Sequence, residues 1–194
     1  MPRSPLVAPE PLSDGEVVLR LRDERDVPSI VSASTDPETR QWLADEPLTS
    51  EQQGDLVSRA EEQWRTGRGA PFVIADGASD RALGLVNVQF GGDEEVAGLA
   101  VSVFPEARGR GVAPRALRLA AKWATLELGL ERVYAEAASD NIASIRAIEK
   151  AGFHREGLLR AHCKTHGRRH DCVMFSVVPS DFAPPAVDEP GQLG

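Results

Sequence analysis

Arg108-Gly109-Arg110-Gly111-Val112-Ala113 lies between an apolar run, Leu99 to Phe104, and a helical stretch opened by Pro114. A strand that feeds a glycine turn and then a helix start makes a cradle for an anion. Glycine lets the backbone curl so that successive N–H groups point at one spot, and the helix dipole adds positive potential there. Arg108 and Arg110 bring formal charge beside those amides. The spacing suits a pyrophosphate. Glycine turns occur in many folds, so the flanking elements decide what this one binds.

Downstream, Leu117, Ala120, Ala121, Ala124 and Leu128 form one helical stripe that Gly129 ends. Arg132–Ala137 alternates as a strand. A helix then starts at Asn141, capped by Asp140 or Asn141, with Ile142, Ile145 and Ile148 expected to be buried and Gly152 as its stop. Phe153–Arg160 and His170–Val178 read as closing strands around the turn Gly167-Arg168-Arg169.

Upstream, Val17–Leu21 reads as a first strand and Arg22–Ser34 as a short helix with Pro28 near its start. A second helix spans Ser50–Thr66, with Ser50 and Gln53 spaced as a capping box and Leu56, Val57, Ala60 and Trp64 on one face. Pro71–Ala75 and Leu83–Phe90 pair around Asp76–Asp80, and a third strand covers Val96–Phe104. The order predicts an α/β domain of the α+β kind, with helices packed on a mixed, mostly antiparallel sheet. One domain is expected over residues 15–182. The proline-rich, polar stretches 1–14 and 183–194 are expected to be flexible.

Thirty acidic residues against 22 basic ones leave a net charge of −8, which argues against nucleic acid as the main partner. No apolar run is long enough to span a membrane, and the start lacks the apolar segment of a secretory signal, so a cytoplasmic protein is expected. Cys163 and Cys172 are then expected as reduced thiols. Three histidines and two cysteines fall within His162–Cys172, but there is no CxxC pair and Gly167 marks a hairpin turn. We read that segment as hairpin surface and expect no metal.

The glycine turn, taken with Ser139-Asp-Asn-Ile-Ala-Ser-Ile-Arg-Ala-Ile-Glu-Lys-Ala-Gly-Phe153, resembles the GNAT superfamily of acyl-CoA N-acyltransferases. The first segment is similar to its Arg/Gln-x-x-Gly-x-Gly/Ala pyrophosphate loop. The second is similar to the Asn-x-x-Ser-x-x-x-x-Glu-Lys-x-Gly-Phe signature of the RimJ/RimL branch, which acetylates ribosomal-protein N-termini and related amines. The resemblance implies a GNAT fold, a sheet of about seven strands whose central strands splay apart. It also implies acetyl-CoA as co-substrate and an amine acceptor, either a peptide N-terminus or a small amine such as a polyamine or amino sugar. The fold admits a homodimer.

By the same resemblance, Arg108, Gly109, Arg110, Gly111, Val112 and Ala113 hold the pyrophosphate, and the backbone of Val101, Ser102 and Val103 holds pantetheine. One of those strand N–H groups then polarises the thioester carbonyl. Asn141 contacts pantetheine, caps its helix, or does both. Ser144 protonates the departing thiolate, since Ile148 stands where many relatives carry a tyrosine. Tyr134 reads as a packing residue.

For the base that deprotonates the amine, Glu94, Glu95, Glu136 and Asp171 are the candidates. Glu95 leads because it lies closest to the cleft strand, with Glu136 on the opposite strand next. RimJ/RimL-type chains commonly have a glutamate where this chain has Gly98. That departure keeps open a coenzyme-binding sensor that does not transfer.

Overall fold

In a computed structural model, residues 6–43 and 46–183 are described. The sheet is built outward from β3 (Gly69–Asp76), β4 (Ala82–Phe90) and β5 (Val96–Val103), an antiparallel meander. The turn between β3 and β4 is tied by Asp76, whose Oδ1 accepts from the N–H groups of Ala78 and Ser79 and from the Ser79 hydroxyl. Residues 69–75 of β3 are buried throughout, which fits their nearly continuous apolar run and the packing on both faces of that strand.

β1 (Leu12–Ser13) and β2 (Val17–Arg20) extend the meander on one side, and β6 (Arg132–Ala138), β7 (His154–Thr165) and β8 (Arg168–Val177) extend it on the other. The order is β1-β2-β3-β4-β5-β6-β8-β7. Among these pairings only β5 with β6 is parallel. That parallel pairing runs from Val96–Arg132 to Leu99–Ala135 and stops, although β5 continues to Val103 and β6 to Ala138. Each strand stays paired on its outer side, β5 with β4 and β6 with β8. The sheet therefore opens between residues 100–103 and residues 136–138, leaving facing backbone edges without a strand partner.

α5 (Val112–Leu126) connects β5 to β6 across one face of the sheet. Ala116, Ala120, Ala121 and Ala124 let it approach the sheet closely, and all four are fully buried. Trp64 from α4 (Leu56–Thr66) meets Phe72 edge-on at 5.1 Å, and Phe72 meets Trp123 at 5.3 Å. On the other face, Ile30 and Ala33 of α1 (Val27–Ser34) pack with Leu56, Val73, Ala82 and Phe104. That face is anchored by Arg20, which pairs with buried Asp26 at 2.8 Å and with Asp80 at 2.7 Å. Among the described residues, no helix is long and apolar enough to cross a membrane.

Several expectations need correction. The segment 6–14 is not loose: Leu6, Ala8 and Leu12 pack on the core, Leu6 N–H donates to the Trp64 carbonyl, and Asp14 pairs with Arg115 at 2.7 Å. The stretch 50–66 divides at Asp55 into α3 (Ser50–Gly54) and α4, and the capping box is Thr49 with Gln52, one residue earlier than read. A further helix, α2 (Pro37–Trp42), was not anticipated. Cys163 and Cys172 are not free thiols but a disulfide across β7 and β8. The tail 184–194 lies outside the described residues.

Arg132, Glu156 and Ser176 link β6, β7 and β8. Arg132 pairs with Glu156, whose carboxylate also accepts the Ser176 hydroxyl at 2.7 Å. Arg132 first, then Ser176, pulls the Glu156 carboxyl down to about 2. A depressed carboxyl stabilises the fold above its unfolded-chain pKa, and that contribution is lost as pH falls toward the folded value. The stability gap between wild type and Glu156→Gln is therefore expected to be constant above about pH 5 and to close between about pH 4.5 and 2. Urea midpoints measured across that range check it.

Candidate active site

Gly109 (φ 73°) and Gly111 (φ 77°) both take the left-handed conformation, which brings the chain from β5 into α5 in a tight curl. Gly111 is the N-cap of α5, and no side chain caps that helix. Its opening amides are therefore left facing a cavity of about 370 Å³ that the loop lines together with residues 101–103, Asn141, Ser144 and α2. The cavity joins the helix start to the opened edge of β5, as the glycine-turn reading requires.

The two loop arginines do not present their side chains as expected. Arg108 turns to α2 and donates to Asp36 at 2.6 Å, to the Thr39 hydroxyl at 2.7 Å and to Glu38 at 2.9 Å. Arg108 beside it draws the Asp36 carboxyl down to about 2. Arg110 is half-exposed and lies 3.7 Å from Asp76 at the end of β3. The cations that line the cavity without a carboxylate partner among the described residues are Arg146 and Lys150, four apart on α6 (Ile142–Lys150). Sequence reasoning missed both, although their spacing puts them on one helical face.

Arg108 thus clamps α2 to the glycine loop. The other end of α2 is held by the β7–β8 tip, where His166 Nε2 lies 2.5 Å from the Arg40 carbonyl. Through this double attachment α2 brings Glu38, Thr39 and Trp42 to the cavity wall. Asp36-Pro37 is the signal that could have located it, an N-cap followed by proline at the first helical position. Arg108→Gln is expected to lower the melting temperature by roughly 2–4 °C, as charge-assisted bonds from one guanidinium are lost. A calorimetric scan checks this.

Asn141 caps α6, its Oδ1 accepting the Ser144 N–H at 3.0 Å, which leaves its amide donors for a second partner. Ser144 borders the cavity, and its hydroxyl makes no hydrogen bond among the described residues. This distinguishes it from Ser34, Ser58 and Thr125, whose hydroxyls bond back to carbonyls in their own helices or at the helix start. Of the three isoleucines expected to be buried, Ile148 lies in the core and Ile145 packs partly against it, but Ile142, in the first turn of α6, is half exposed.

The base candidates separate by position. Glu136 follows Ala135, the last residue of β6 paired with β5, so its backbone stands where the sheet begins to open, but it is not among the residues that line the cavity. Its carboxylate lies 3.1 Å from His162 Nε2. Glu94 and Glu95 sit before the paired end of β5; Glu95 is four positions before Leu99, roughly 13 Å of extended strand. Asp171 accepts the Ala161 N–H at 2.7 Å and shapes the closing hairpin. Gly98 faces Tyr134 across the parallel pair, and a Cβ on Gly98 would come within 2.8 Å of the Tyr134 ring. The phenol thus occupies the space into which a longer side chain at Gly98 would grow. No group of three His, Cys, Asp or Glu side chains suited to a metal occurs among the described residues.

Uncapped amides, an open strand edge and an unengaged hydroxyl on one cavity, with a carboxylate where the strands part, suit acyl transfer from a phosphate-bearing thioester. The comparison with known families agrees, since residues 16–154 match the acetyltransferase (GNAT) domain. The chain belongs to the GNAT acetyltransferase family. It is accordingly an N-acetyltransferase, and GNAT relatives resemble it over most of its length. The probable N-acetyltransferase YjcK of Bacillus subtilis (strain 168) is 29% identical over 140 residues, 71% of this chain and 77% of the relative. Among solved GNAT structures, Mycobacterium smegmatis RimJ in complex with CoA-disulfide gives a TM-score of 0.77 at 20% identity, covering 90% of this chain and 88% of RimJ. Spermidine N-acetyltransferase from Vibrio cholerae, in complex with CoA and spermine, gives 0.73 at 22%, covering 87% and 98%. At these identities the two structures establish a shared fold.

Proposed function

We propose that this GNAT enzyme binds acetyl-CoA and a primary amine together and transfers the acetyl group by direct attack, the acceptor being a peptide N-terminal amine. The observation that carries the reading is one continuous cavity joining the uncapped start of α5, the open edge of β5 and the unengaged Ser144. Amides of residues 109–113 take the pyrophosphate, and Arg146 and Lys150 supply the charge that Arg108 has committed to α2. Pantetheine pairs with the free edge at Val101, Ser102 and Val103, and with the Asn141 amide. A strand N–H there stabilises the oxyanion. Ser144 protonates the leaving thiolate, and Glu136, where the strands part, takes the ammonium proton.

Incubation with acetyl-CoA and a panel of peptides and polyamines tests this, following thiol release and product mass. N-terminally acetylated peptide supports the reading. Acetylated polyamine moves the acceptor to small amines, a reading favoured by the likeness to the Vibrio cholerae spermidine enzyme. Coenzyme binding without thiol release leaves a sensor. Arg146→Ala with Lys150→Ala is expected to weaken acetyl-CoA binding by roughly 10- to 100-fold, more at low salt, because two charge-assisted phosphate contacts are removed. Calorimetric titration at two salt concentrations measures it.

A further inference from the structure

The pairing of β7 with β8 slips inside the closing hairpin. Leu159 faces Cys172 and Cys163 faces His170, so residues 160–162 stand against Asp171 alone. This extra backbone is held on every side. Ala161 takes φ 51°, its N–H donates to Asp171 Oδ1 at 2.7 Å, and Arg169 donates to the carbonyls of Ala161 at 3.0 Å and His162 at 3.1 Å. The Cys163–Cys172 disulfide, with Cα atoms 6.0 Å apart, staples the two strands there. A bulge re-aims the side chains it carries. Here it aims His162 past β8 to Glu136 on β6, placing Nε2 3.1 Å from that carboxylate.

We infer that His162 is the proton outlet of Glu136 during acetyl transfer. The inference rests on the acyl-transfer reading above and adds to it a residue that the glycine-turn and α6 motifs do not contain. The acceptor ammonium gives one proton to Glu136. Its freed electron pair attacks the thioester carbon; the N–C bond forms and the C–S bond breaks. A second nitrogen-bound proton replaces the one that Ser144 gives to the thiolate. Glu136 then passes its proton to Nε2 of His162, in the tautomer carrying hydrogen on Nδ1, and Nδ1 releases that hydrogen to water.

The exposure of the two side chains suits this direction of travel, with Glu136 at 36% and His162 at 48%. An imidazole has two ring nitrogens, so one ring can accept a proton at Nε2 while releasing another from Nδ1. The charged and titratable groups around His162 are Glu136 on β6 and Asp171 and Arg169 on β8; the neighbouring Cys163 is in the disulfide. Asp171 and Arg169 are engaged with the bulge backbone, which leaves Glu136 as the carboxylate in contact with the ring.

The test uses the full chain with the peptide or polyamine that gives product in the panel, from pH 6.5 to above the acceptor's own pKa. His162→Gln is expected to lower kcat about 100-fold at the acid end, and to approach wild type where the amine is already neutral. Acetyl-CoA affinity stays unchanged. In His162→Ala, added imidazole is expected to restore the rate at neutral pH. A loss equal at all pH values with no rescue by imidazole, or no loss at all, overturns the proposal while leaving the transfer reading intact. Wild-type protein that binds acetyl-CoA yet releases no thiol with any acceptor overturns the transfer reading and this proposal with it.

Discussion

Replacing Ser144 by alanine is expected to lower kcat about 100-fold and to leave the acetyl-CoA dissociation constant within a factor of two. The Ser144 hydroxyl borders the cavity and has no hydrogen-bond partner among the described residues, so its removal breaks no bond that holds α6 together. The cap depends on the Ser144 N–H, which alanine retains. The change is therefore felt where the thiolate departs, an interaction made in the transition state and absent from the ground state. Stopped-flow thiol release beside calorimetric coenzyme titration separates the two quantities. A fall in affinity equal to the fall in turnover would remove the assigned role.

Gly111→Val is expected to weaken acetyl-CoA binding by roughly 10- to 100-fold, the equivalent of forcing a β-branched residue into the left-handed region. A Cβ at Gly111 meets nothing within 4 Å, so the loss is conformational and not a clash. Valine drives φ away from 77°, and the amides on either side then no longer converge on one anion. Gly111→Asn provides the control, because asparagine tolerates this conformation, and its affinity should fall only a few-fold. Equal losses for the two variants would point to crowding by the side chain instead. Titration with acetyl-CoA decides between them.

α5 and most of the sheet were legible because their signals are local: short apolar runs bounded by turns, the alternation of β6, a glycine turn and an alanine-rich stripe. β1, two residues long, shows no such pattern. The capping box slipped by one residue because Thr49/Gln52 and Ser50/Gln53 have the same spacing, and only the packing around them chooses. α2 was missed because six residues with one buried side chain show no apolar period, and its stability comes from Arg108 about 70 positions away. The same distance hid the fate of the Arg108 charge, which the motif alone would assign to phosphate. The bulge at residues 160–162 follows no hydrophobic pattern; it exists because Asp171 and Arg169 satisfy its backbone from the facing strand. Gly98 looked like a missing carboxylate, and only the register with Tyr134 shows which side chain fills that space.

The double attachment of α2 has a thermodynamic consequence. One helix touches the glycine loop through Arg108 and the closing hairpin through His166, and it forms part of the cavity wall. If binding of one substrate shifts α2 and so changes the other's affinity by some factor, binding of the second must change the first's affinity by that same factor, since the coupling free energy between two ligands is reciprocal. Cutting the Arg108 link should uncouple them, making the binding of each substrate indifferent to the presence of the other.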